Sequence, residues 1–494
     1  MDYENTSNNG DAPPPHLAPF DVRARASKWI AQEPGLADAV VSWYGHMLHR
    51  RESFHTHAEG VARFGAVPPL RALRHVAALG FAQVEFLARE LPRELSERRF
   101  LKEPSAWAKE ASAKLIRTQL AQLGPSAAEV ARLIDMAEGI LPQIVVDTFR
   151  ERPIVSKPIS RTTVDHIIRR EFGDVVAKFD PEPISVNPIS QLHDAWLQGG
   201  REVHLRVRRP GVSRALRADA RILSTIAAPF EQFIPFFNEA HPVGFLQLAT
   251  RQTMEEVDLR NQALNAVELA LALESMEIDL VRIPHPIPGL ATRHALVVER
   301  LEGKPLVEST ASIDIQAAVS SYAAATVESA LARGVFHADL LSEHLVVTPD
   351  SKLGIISCGT LGRFDIETRR GALQYLTGFF TGDFKAQVEA MDSLGAVPED
   401  VDQEKLVEDL ASTESLGFAS LMSGGPDGIT NALRDAVGIL LDHKVRPPLE
   451  AVLFVRNVFS FNRFAQHFDP EASAVALLMP TVQRLPQIAV DLQV

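Results

Sequence analysis

His337 and Asp339 open the stretch HADLLSEHLVV (337–347), in which a carboxylate follows a His just before two short apolar segments. A carboxylate in such a loop can accept the proton of an attacking hydroxyl during phosphoryl transfer. A magnesium-dependent site of this kind also needs an amide five residues after the carboxylate and a second carboxylate after the apolar segments. These two positions hold His344 and Ser357. The stretch has the shape of a phosphotransfer site, but both expected metal ligands are replaced.

Strands and helices predicted from periodicity surround this stretch. Residues 183–211 are expected to form a hairpin with a Gly-Gly turn, and apolar residues alternate with polar ones over 203–207, as in a half-buried strand. A further strand is predicted at 294–301 and a long helix at 243–275. The two apolar segments after the catalytic-type loop are expected to be short strands. This order indicates a small sheet domain, a connector and a mostly helical domain.

The first part of the chain is predicted to be helical apart from a tail. Residues 1–19 are polar and proline-rich with almost nothing to bury, so we expect them to be disordered. Over 20–160 apolar residues recur at spacings of three and four, the period of amphipathic helices. One of these helices follows Pro125, where Ser126 and Glu129 have the spacing of a capping box. The sequence therefore predicts a helical N-terminal extension.

Composition limits the classes of function. The net charge of -13 argues against nucleic acid as the main partner, because phosphate backbones require clustered Lys and Arg. The segment 201–221 is a local exception, either a solvated Arg-rich surface or an anion-binding region. The single Cys358 excludes an internal disulfide framework and fits a reducing compartment. No segment resembles a signal peptide or a spanning helix, so we expect a cytoplasmic protein with at most peripheral membrane contact through 201–221.

Four segments resemble the UbiB/AarF family of atypical kinase-like proteins, which includes the mitochondrial coenzyme Q kinase-like proteins. In chain order they are FDPEPISVNPISQLHDAWLQGGREVHLRVRRPGV (179–212), MEEVDLRNQALNA (254–266), LVVERLEGKPL (296–306) and GVFHADLLSEHLVVTPDSKLGIISCGTLGRFD (334–365). The resemblance extends from about Leu123 to Pro480. It implies an α+β, protein-kinase-like two-lobed fold with an α-helical N-terminal extension. Residues 161–300 would form the N-lobe and 301–494 the helical C-lobe.

The chain departs from the family pattern at positions that carry chemistry. Arg206 replaces the strand Lys of the family and Gln262 replaces the helix Glu. His344 and Ser357 replace the metal-binding Asn and Asp. Magnesium requires hard oxygen ligands, and phosphoryl transfer depends mainly on positioning and charge neutralisation. Arg is also bulkier than Lys at a tightly fitted site. These four changes together predict that ordinary kinase activity is lost.

Two further departures concern the nucleotide loop and the family's lid motif. Pro188 removes a loop N–H that could otherwise face a phosphate. The K-x-G-Q motif of the family is matched by Glu129, Ala131 and Arg132, which reverses a charge. We therefore expect ATP or ADP to bind weakly, with little dependence on magnesium, and we assign no other cofactor.

The resemblance implies a degenerate nucleotide cleft between the lobes. Asp339 and His337 are the candidate catalytic residues, although both could instead hydrogen-bond the loop backbone in a structural role. No metal ligands are assigned. The candidate nucleotide-binding residues are Arg206, Ser190, Gln191, Glu299, Ser357 and His344.

The sequence thus predicts a UbiB-type pseudokinase. The resemblance implies a non-phosphorylating accessory role in isoprenoid-quinone or other lipid-related metabolism, with a protein partner from a biosynthetic pathway and a small-molecule or lipid ligand in the cleft. One alternative is an active atypical ATPase or kinase in which Arg206, Asp339 and His344 support an altered metal geometry. Another is an enzyme of a different class that uses His337, Asp339 or His344 as acid/base groups in a repurposed cleft.

Overall fold

The computed structural model describes most of the chain in segments separated by gaps. The described residues are 23–44, 69–90, 92, 104–135, 143–151, 154–233, 250, 253–306, 314–340, 344–445, 447–469, 471 and 473–492. The predicted tail at 1–19 lies outside them, as does the beginning of the helix predicted at 243–275. Within the described segments, helices and antiparallel-rich sheets occur together, and the α+β prediction is confirmed.

The regular elements fall into an N-terminal helical region, a sheet-containing lobe and a helical lobe. The helices are α1 Pro69–Glu85, α2 Pro104–Leu123, α3 Pro125–Asp135, α4 Gln143–Glu151, α5 Arg161–Phe172, α6 Val212–Phe233, α7 Leu259–Ser275, α8 Ile315–Ala323, α9 Ser329–Arg333, α10 Ile366–Thr381, α11 Phe384–Ser393, α12 Gln403–Ser412, α13 Phe418–Ser423, α14 Gly428–Asp442, α15 Leu449–Phe468, α16 Ala474–Val482 and α17 Leu485–Leu492. The strands are β1 Val176–Phe179, β2 Ser185–Val186, β3 Ser190–Leu197, β4 Glu202–Arg208, β5 Val281–Arg282, β6 Pro286–Ala291, β7 Ala295–Glu299, β8 Lys304–Pro305, β9 Val335–His337, β10 Leu345–Val347, β11 Leu353–Ile355 and β12 Leu361–Arg363.

Helices α1 to α4 form the N-terminal extension, so its predicted helical character is confirmed for the described residues. Leu120, Leu123 and Phe149 are central to the apolar core that joins α2, α3 and α4. Helix α1 packs on α2 and continues beyond Glu85 as a π-helical turn, Phe86–Glu90. The extension therefore has its own core, and α3 projects from it toward the rest of the chain.

The sheet of the N-lobe has the order β1-β3-β4-β7-β6, with β2 beside β3. The β3–β4 hairpin is antiparallel, as predicted, and its apolar residues pack against α5. The prediction that β4 is half-buried is wrong, because His204, Arg206 and Arg208 are also buried. The carbonyls of Val257 and Ile356 lie against that second face and accept hydrogen bonds from the two arginines. Strand β4 is thus covered on both sides.

The helix predicted at 243–275 is not continuous: within the described residues, 253–256 are helical, the chain turns at Val257 and Asp258, and α7 follows. The side chain of Asp258 caps it by accepting the N–H of Arg260 at 3.3 Å, so the helix starts at Leu259. Residues 23–44 pack on its outer side, which leaves almost every face of the helix buried. This contact joins Ile30, Leu36 and Val40 to Leu264, Val267 and Leu271.

Two pairs of short strands lie where the helical lobe meets the sheet lobe. The sequence predicted the two strands β10 and β11; they pair antiparallel, and β9 pairs with β12. Cys358 follows β11 and is buried in the main core of the C-lobe. Burial raises the pKa of its thiol to about 12, so it is a neutral core residue at pH 7.

The segment 201–221 is not one exposed basic surface. Arg206, Arg208 and Arg209 are buried, and Arg201 forms an ion pair with Glu33 at 2.7 Å. Membrane contact through this segment stays a prediction, but these arginines are engaged within the protein. In the parts of the chain that the structure describes, no helix is long and apolar enough to cross a membrane.

Candidate functional site

The predicted catalytic loop begins at the end of β9. His337 is the last residue of that strand, and its Nε2–H donates to the Ser357 carbonyl at 2.8 Å. The backbone N–H of Asp339 donates to His337 Nδ1 at 3.2 Å, so both ring nitrogens bind backbone groups. Burial lowers the pKa of His337 to about 4, which keeps the ring neutral at pH 7. In this arrangement His337 links the loop of Asp339 to the segment of Ser357.

A guanidinium from the N-terminal extension binds the Asp339 carboxylate. Arg132, in α3, donates from Nη1 to Asp339 Oδ2 at 2.7 Å. Its Nε and Nη2 donate to the Glu129 carboxylate at 3.1 and 2.5 Å, and Glu256 Oε2 lies 3.7 Å from Nη2. Glu129 therefore does not serve the capping box predicted for α3, because its carboxylate is turned toward Arg132. One cation is surrounded by three carboxylates.

The charged groups of this cluster are buried, so each one shifts the pKa values of its neighbours. Burial has the following effects. It opposes the charge on Arg132, yet Glu129 and Asp339 raise the pKa of Arg132 well above its ordinary value. Burial likewise opposes the charge on Asp339, but Arg132 and Arg456 outweigh it and hold the pKa of Asp339 below its usual range. Burial and the nearby Glu129 charge raise the pKa of Glu256 to about 8. At neutral pH the Arg132–Asp339 pair is therefore ionised while Glu256 is protonated.

Helix α15 supplies two further groups to the loop, and the sequence reasoning missed both. Arg456 donates to the Ala338 carbonyl, and its Nη2 lies 3.9 Å from Asp339 Oδ1. Asn457 Nδ2 donates to the His337 carbonyl at 2.7 Å. Asp339 thus lies between guanidinium groups from two distant parts of the chain. No local motif marks Arg456, so the sequence offered no signal for it.

Arg206, at the position of the family's strand Lys, forms only long hydrogen bonds. It donates to Ser190 Oγ at 3.4 Å and to the Ile356 carbonyl at 3.3 Å. Among the described side chains, no carboxylate lies within ion-pair distance of it. Gln262, at the position of the helix Glu, donates instead to the backbone carbonyl of Glu256 at 3.3 Å. The Lys–Glu ion pair that holds nucleotide phosphates in kinases is replaced by a buried Arg whose pKa is lowered by burial.

The loop predicted to face a nucleotide satisfies its own backbone donors. Asn187 Oδ1 accepts the N–H of Ile189 at 2.9 Å and the N–H of Ser190 at 2.6 Å. Pro188, between them, has no N–H. Free N–H groups in a loop of this kind are what binds phosphate oxygens. The sequence reasoning missed the role of Asn187, although Asn before Pro is a known turn signal.

Two other predicted nucleotide-binding residues bind groups of the protein itself. Gln191 Oε1 accepts the N–H of Ile159 at 2.6 Å. Glu299, at the end of β7, holds His285 Nδ1 at 2.5 Å, and the His285 ring stacks on Trp29 with centroids 4.2 Å apart. Burial opposes the charge on Glu299, but the hydrogen bonds from His285 lower its pKa. The segment around Trp29 therefore reaches the connection between the lobes, which no sequence pattern indicated.

The replaced metal positions lie beside the loop without supplying new oxygen ligands. His344 Nδ1 is 3.1 Å from the Asp339 carbonyl, and Ser357 is buried. The Asp339 Oδ2 atom is already bound to Arg132. Within the described residues, no group of three or more His, Cys, Asp and Glu side chains is placed so that it could hold a metal ion. The residues present do not fit a magnesium ion, and no catalytic step through magnesium follows from them.

The predicted site residues separate into two groups. Ser190 and Arg206 are hydrogen-bonded to each other, and Arg206 reaches the carbonyl just before Ser357. Ser357, His337, Asp339 and His344 form a second connected set in the C-lobe. The structure therefore brings these six residues close together where the sheet lobe meets the helical lobe. The side chains of Gln191 and Glu299 are instead bound to other protein groups.

Comparison with known proteins defines the class. Residues 155–391 match the family described as the ABC1 atypical kinase-like domain. An uncharacterized aarF domain-containing protein kinase of Arabidopsis thaliana, named as chloroplastic, is 27% identical over 389 residues, which is 72% of either chain. A probable protein kinase UbiB from Aliivibrio fischeri is 26% identical over 308 residues, covering 59% of this chain and 55% of that protein. This chain therefore spans about half the length of the UbiB relatives it matches.

Among solved structures, the complex of Rv3197 with erythromycin from Mycobacterium tuberculosis is similar to this chain, with 19% sequence identity and a TM-score of 0.48. The similar region covers 76% of this chain and 97% of the Rv3197 chain. Residues 155–391 are an ABC1/UbiB atypical kinase-like domain. This family match confirms the resemblance predicted from the sequence motifs and the kinase-like fold.

Proposed function

We propose that this chain is a UbiB-type pseudokinase in which Arg132 occupies the place of the catalytic cations. The contact of Arg132 with Asp339 and Glu129 carries this proposal. Kinases neutralise phosphate charge with metal ions that are held by carboxylates. A guanidinium neutralises those carboxylates permanently, because it does not lose its proton in proteins. Asp339 is then no longer free to accept a proton from a substrate hydroxyl.

The nucleotide loop supports the same proposal. Asn187 takes two of the N–H groups that would bind phosphate, and Pro188 lacks a third. Arg206 keeps a positive charge in the cleft but is not paired with the helix position that orients the kinase Lys. Nucleotide binding is therefore weak and does not depend on magnesium.

The cellular role follows from the family and stays part of the proposal. A kinase-like protein that transfers no phosphate acts by binding, so we assign it a non-phosphorylating accessory role beside enzymes of isoprenoid-quinone or other lipid-related metabolism. Its partner is a protein of that pathway, and its compartment is the cytoplasm. The match to UbiB relatives supports this assignment at the level of the family only.

Thermal-shift titration with ATP and ADP, with and without magnesium, tests the proposal. We expect small shifts that are the same in both conditions, together with no ATP turnover above that of Asp339→Ala. A large stabilisation that requires magnesium, or turnover that Asp339→Ala abolishes, would refute it. The Asp339→Ala variant is the matched control, because it removes the candidate catalytic group from the same cleft.

A second candidate, binding of an anionic small molecule in the cleft, is favoured by Arg206. Among the described residues, this buried guanidinium forms hydrogen bonds with the neutral oxygens of Ser190 and Ile356 alone, at 3.4 and 3.3 Å. A buried charge that is not paired is costly, and an anion would offset that cost. Arg206→Gln should abolish stabilisation by such an anion, for which inorganic phosphate is the first probe. Unchanged stabilisation in this variant would exclude Arg206 as the binding group.

A further inference from the structure

Helix α1 has two polar residues, Arg71 and His75, on its inner side and most of its large apolar residues on the outer side. Arg71 Nε donates to Asp219 Oδ1 at 2.6 Å, and His75 Nε2 lies 2.9 Å from the same oxygen. Asp219, in α6, is fully buried, and Ala78 and Ala82 pack on the same inner side. These contacts fix the rotation of α1 about its own axis. The opposite face is therefore held toward the outside.

The outer face is large and apolar, with the exposed Arg74 at its edge, one turn from Leu70. Its large residues are 50% to 80% exposed, whereas residues of this type are usually at least half-buried in a helix that packs on a core. They are Leu70, Leu73, Val76, Phe81, Val84 and Leu87. Together they expose on the order of 600 Å² of apolar surface, at the upper end of the patches that monomers carry. Nothing among the described residues covers this face.

The outer face has the spacing of a helix–helix seam. Positions 70, 73, 77, 80, 84 and 87 follow the alternating three and four spacing of a heptad repeat. Small residues, Ala77 and Gly80, lie at its centre, and both are exposed. A Cβ atom added at Gly80 would meet nothing within 4 Å. A Gly inside a helix costs about 1 kcal/mol relative to Ala, and no contact with the described residues requires it. Close approach of a second helix is a physical reason for such a residue.

The order of large and small residues along this seam is nearly the same from either end of the helix. Leu70 is matched by Leu87, Leu73 by Val84 and Ala77 by Gly80, with the centre between the last two. Two identical helices that cross antiparallel about a two-fold axis require this self-complementarity. We propose that α1 pairs antiparallel with α1 of a second copy of this chain, with the axis between Ala77 and Gly80.

A second copy fits this face better than a lipid surface. Small central residues allow two helix backbones to approach, whereas a membrane surface would favour large apolar residues there. The net charge of -13 disfavours an anionic membrane. The exposed apolar area approaches the about 800 Å² per partner that a stable protein interface buries. These three arguments favour a homodimer.

Light scattering of the full chain over a wide concentration range tests the pairing. We expect a mass of two 54.2 kDa chains that dissociates on dilution. Leu73→Glu and Val84→Glu should each weaken the dimer at least tenfold, while Val155→Glu, at an 83% exposed position outside α1, should not. A wild type that is monomeric at every concentration would overturn the proposal, as would equal dimerisation of all four proteins.

The Gly80→Leu variant distinguishes a second copy of the chain from a lipid surface as the partner of α1. It enlarges the apolar face, so binding to vesicles of phosphatidylcholine and phosphatidylglycerol would increase if lipid were the occupant. If two helices approach at Gly80, the variant instead weakens the dimer. Flotation of wild-type protein with these vesicles, strengthened by Gly80→Leu, would replace the proposed partner with a membrane.

Oxidative crosslinking tests the direction of the pair. The native Cys358 is buried, so an added cysteine on α1 is the accessible one. Ala77→Cys lies next to the axis and should form a disulfide with its own copy. Leu70→Cys should not, because antiparallel pairing separates the two copies of this residue by about 25 Å along the helices. Crosslinking of Leu70→Cys to itself would refute the antiparallel arrangement.

Discussion

Removal of the Arg132 guanidinium is the most direct test of the charge cluster. Arg132→Gln leaves the carboxylates of Glu129 and Asp339 without their shared cation, beside the protonated Glu256. Side-chain exposure is only 18% for Arg132, 2% for Glu129 and 6% for Asp339, so water screens the pairs weakly. Removal of one partner from a buried ion pair costs about 3–5 kcal/mol. Since domains unfold with about 5–15 kcal/mol, the expected loss of about 3 kcal/mol is a large share.

The loss should depend on pH in a direction set by Asp339. Its pKa is lowered in the native state, so the Arg132 contact contributes its full stabilisation above the ordinary Asp pKa. This contribution begins to decrease as the pH falls below that value, and it is lost as the pH falls through the lower native pKa. In Arg132→Gln the pKa of Asp339 rises and the carboxylates take up protons. The difference in unfolding free energy between wild type and variant should therefore be largest near pH 7 and shrink toward pH values of about 4.

Urea unfolding followed by circular dichroism measures these differences. Arg169→Gln is the matched control, because Arg169 pairs with Asp165 at 2.8 Å on the surface, with side-chain exposures of 70% and 47%. No resolvable change in its urea midpoint is expected. Glu129→Gln added to Arg132→Gln should recover part of the loss, because one unpaired carboxylate is removed. A loss in Arg132→Gln as small as that of the control would refute the reasoning.

Three further outcomes are expected. Glu256 is protonated in the folded state up to a pKa of about 8, so its contribution to stability is present at low pH and is lost as the pH rises toward 8. This loss of unfolding free energy amounts to at most about 1.4 kcal/mol per pH unit. Glu256→Gln should remove it in unfolding curves measured from pH 5 to 8. Gly362→Ala should destabilise the fold by more than about 1 kcal/mol in urea unfolding, because the new Cβ would lie 2.0 Å from the Phe336 ring, and an unchanged midpoint would contradict this close packing. Ser357→Asp with His344→Asn, added to Arg132→Gln so that the Asp339 carboxylate is released, should introduce magnesium-dependent stabilisation in thermal-shift assays. The absence of a magnesium effect there would show that lost ligands are not the main obstacle.

Much of the fold could be predicted from local patterns. Alternation and turn residues predicted the β3–β4 hairpin, and two apolar segments predicted the β10–β11 pair. The sequence predicted one helix over 243–275 because the periodicity continues across the Asp258 cap, where the structure has a break before α7. The order of motifs was sufficient for the family, because the spacing of His337, Asp339 and the replaced ligands is itself the family pattern.

The sequence by itself determined which chemical groups stand at the catalytic positions: His344 and Ser357 where oxygen ligands are needed, and Arg206 in place of Lys. Only the tertiary structure decided what those groups contact. Arg132 meets Asp339 across 207 residues of sequence, and both faces of β4 are covered, so the burial of Arg206 contradicts its alternating pattern. Periodicity reports which side of an element is apolar, but not which distant segment packs against the other side. The partners and pKa values of buried charges depend on that packing, and so does the competence of the site.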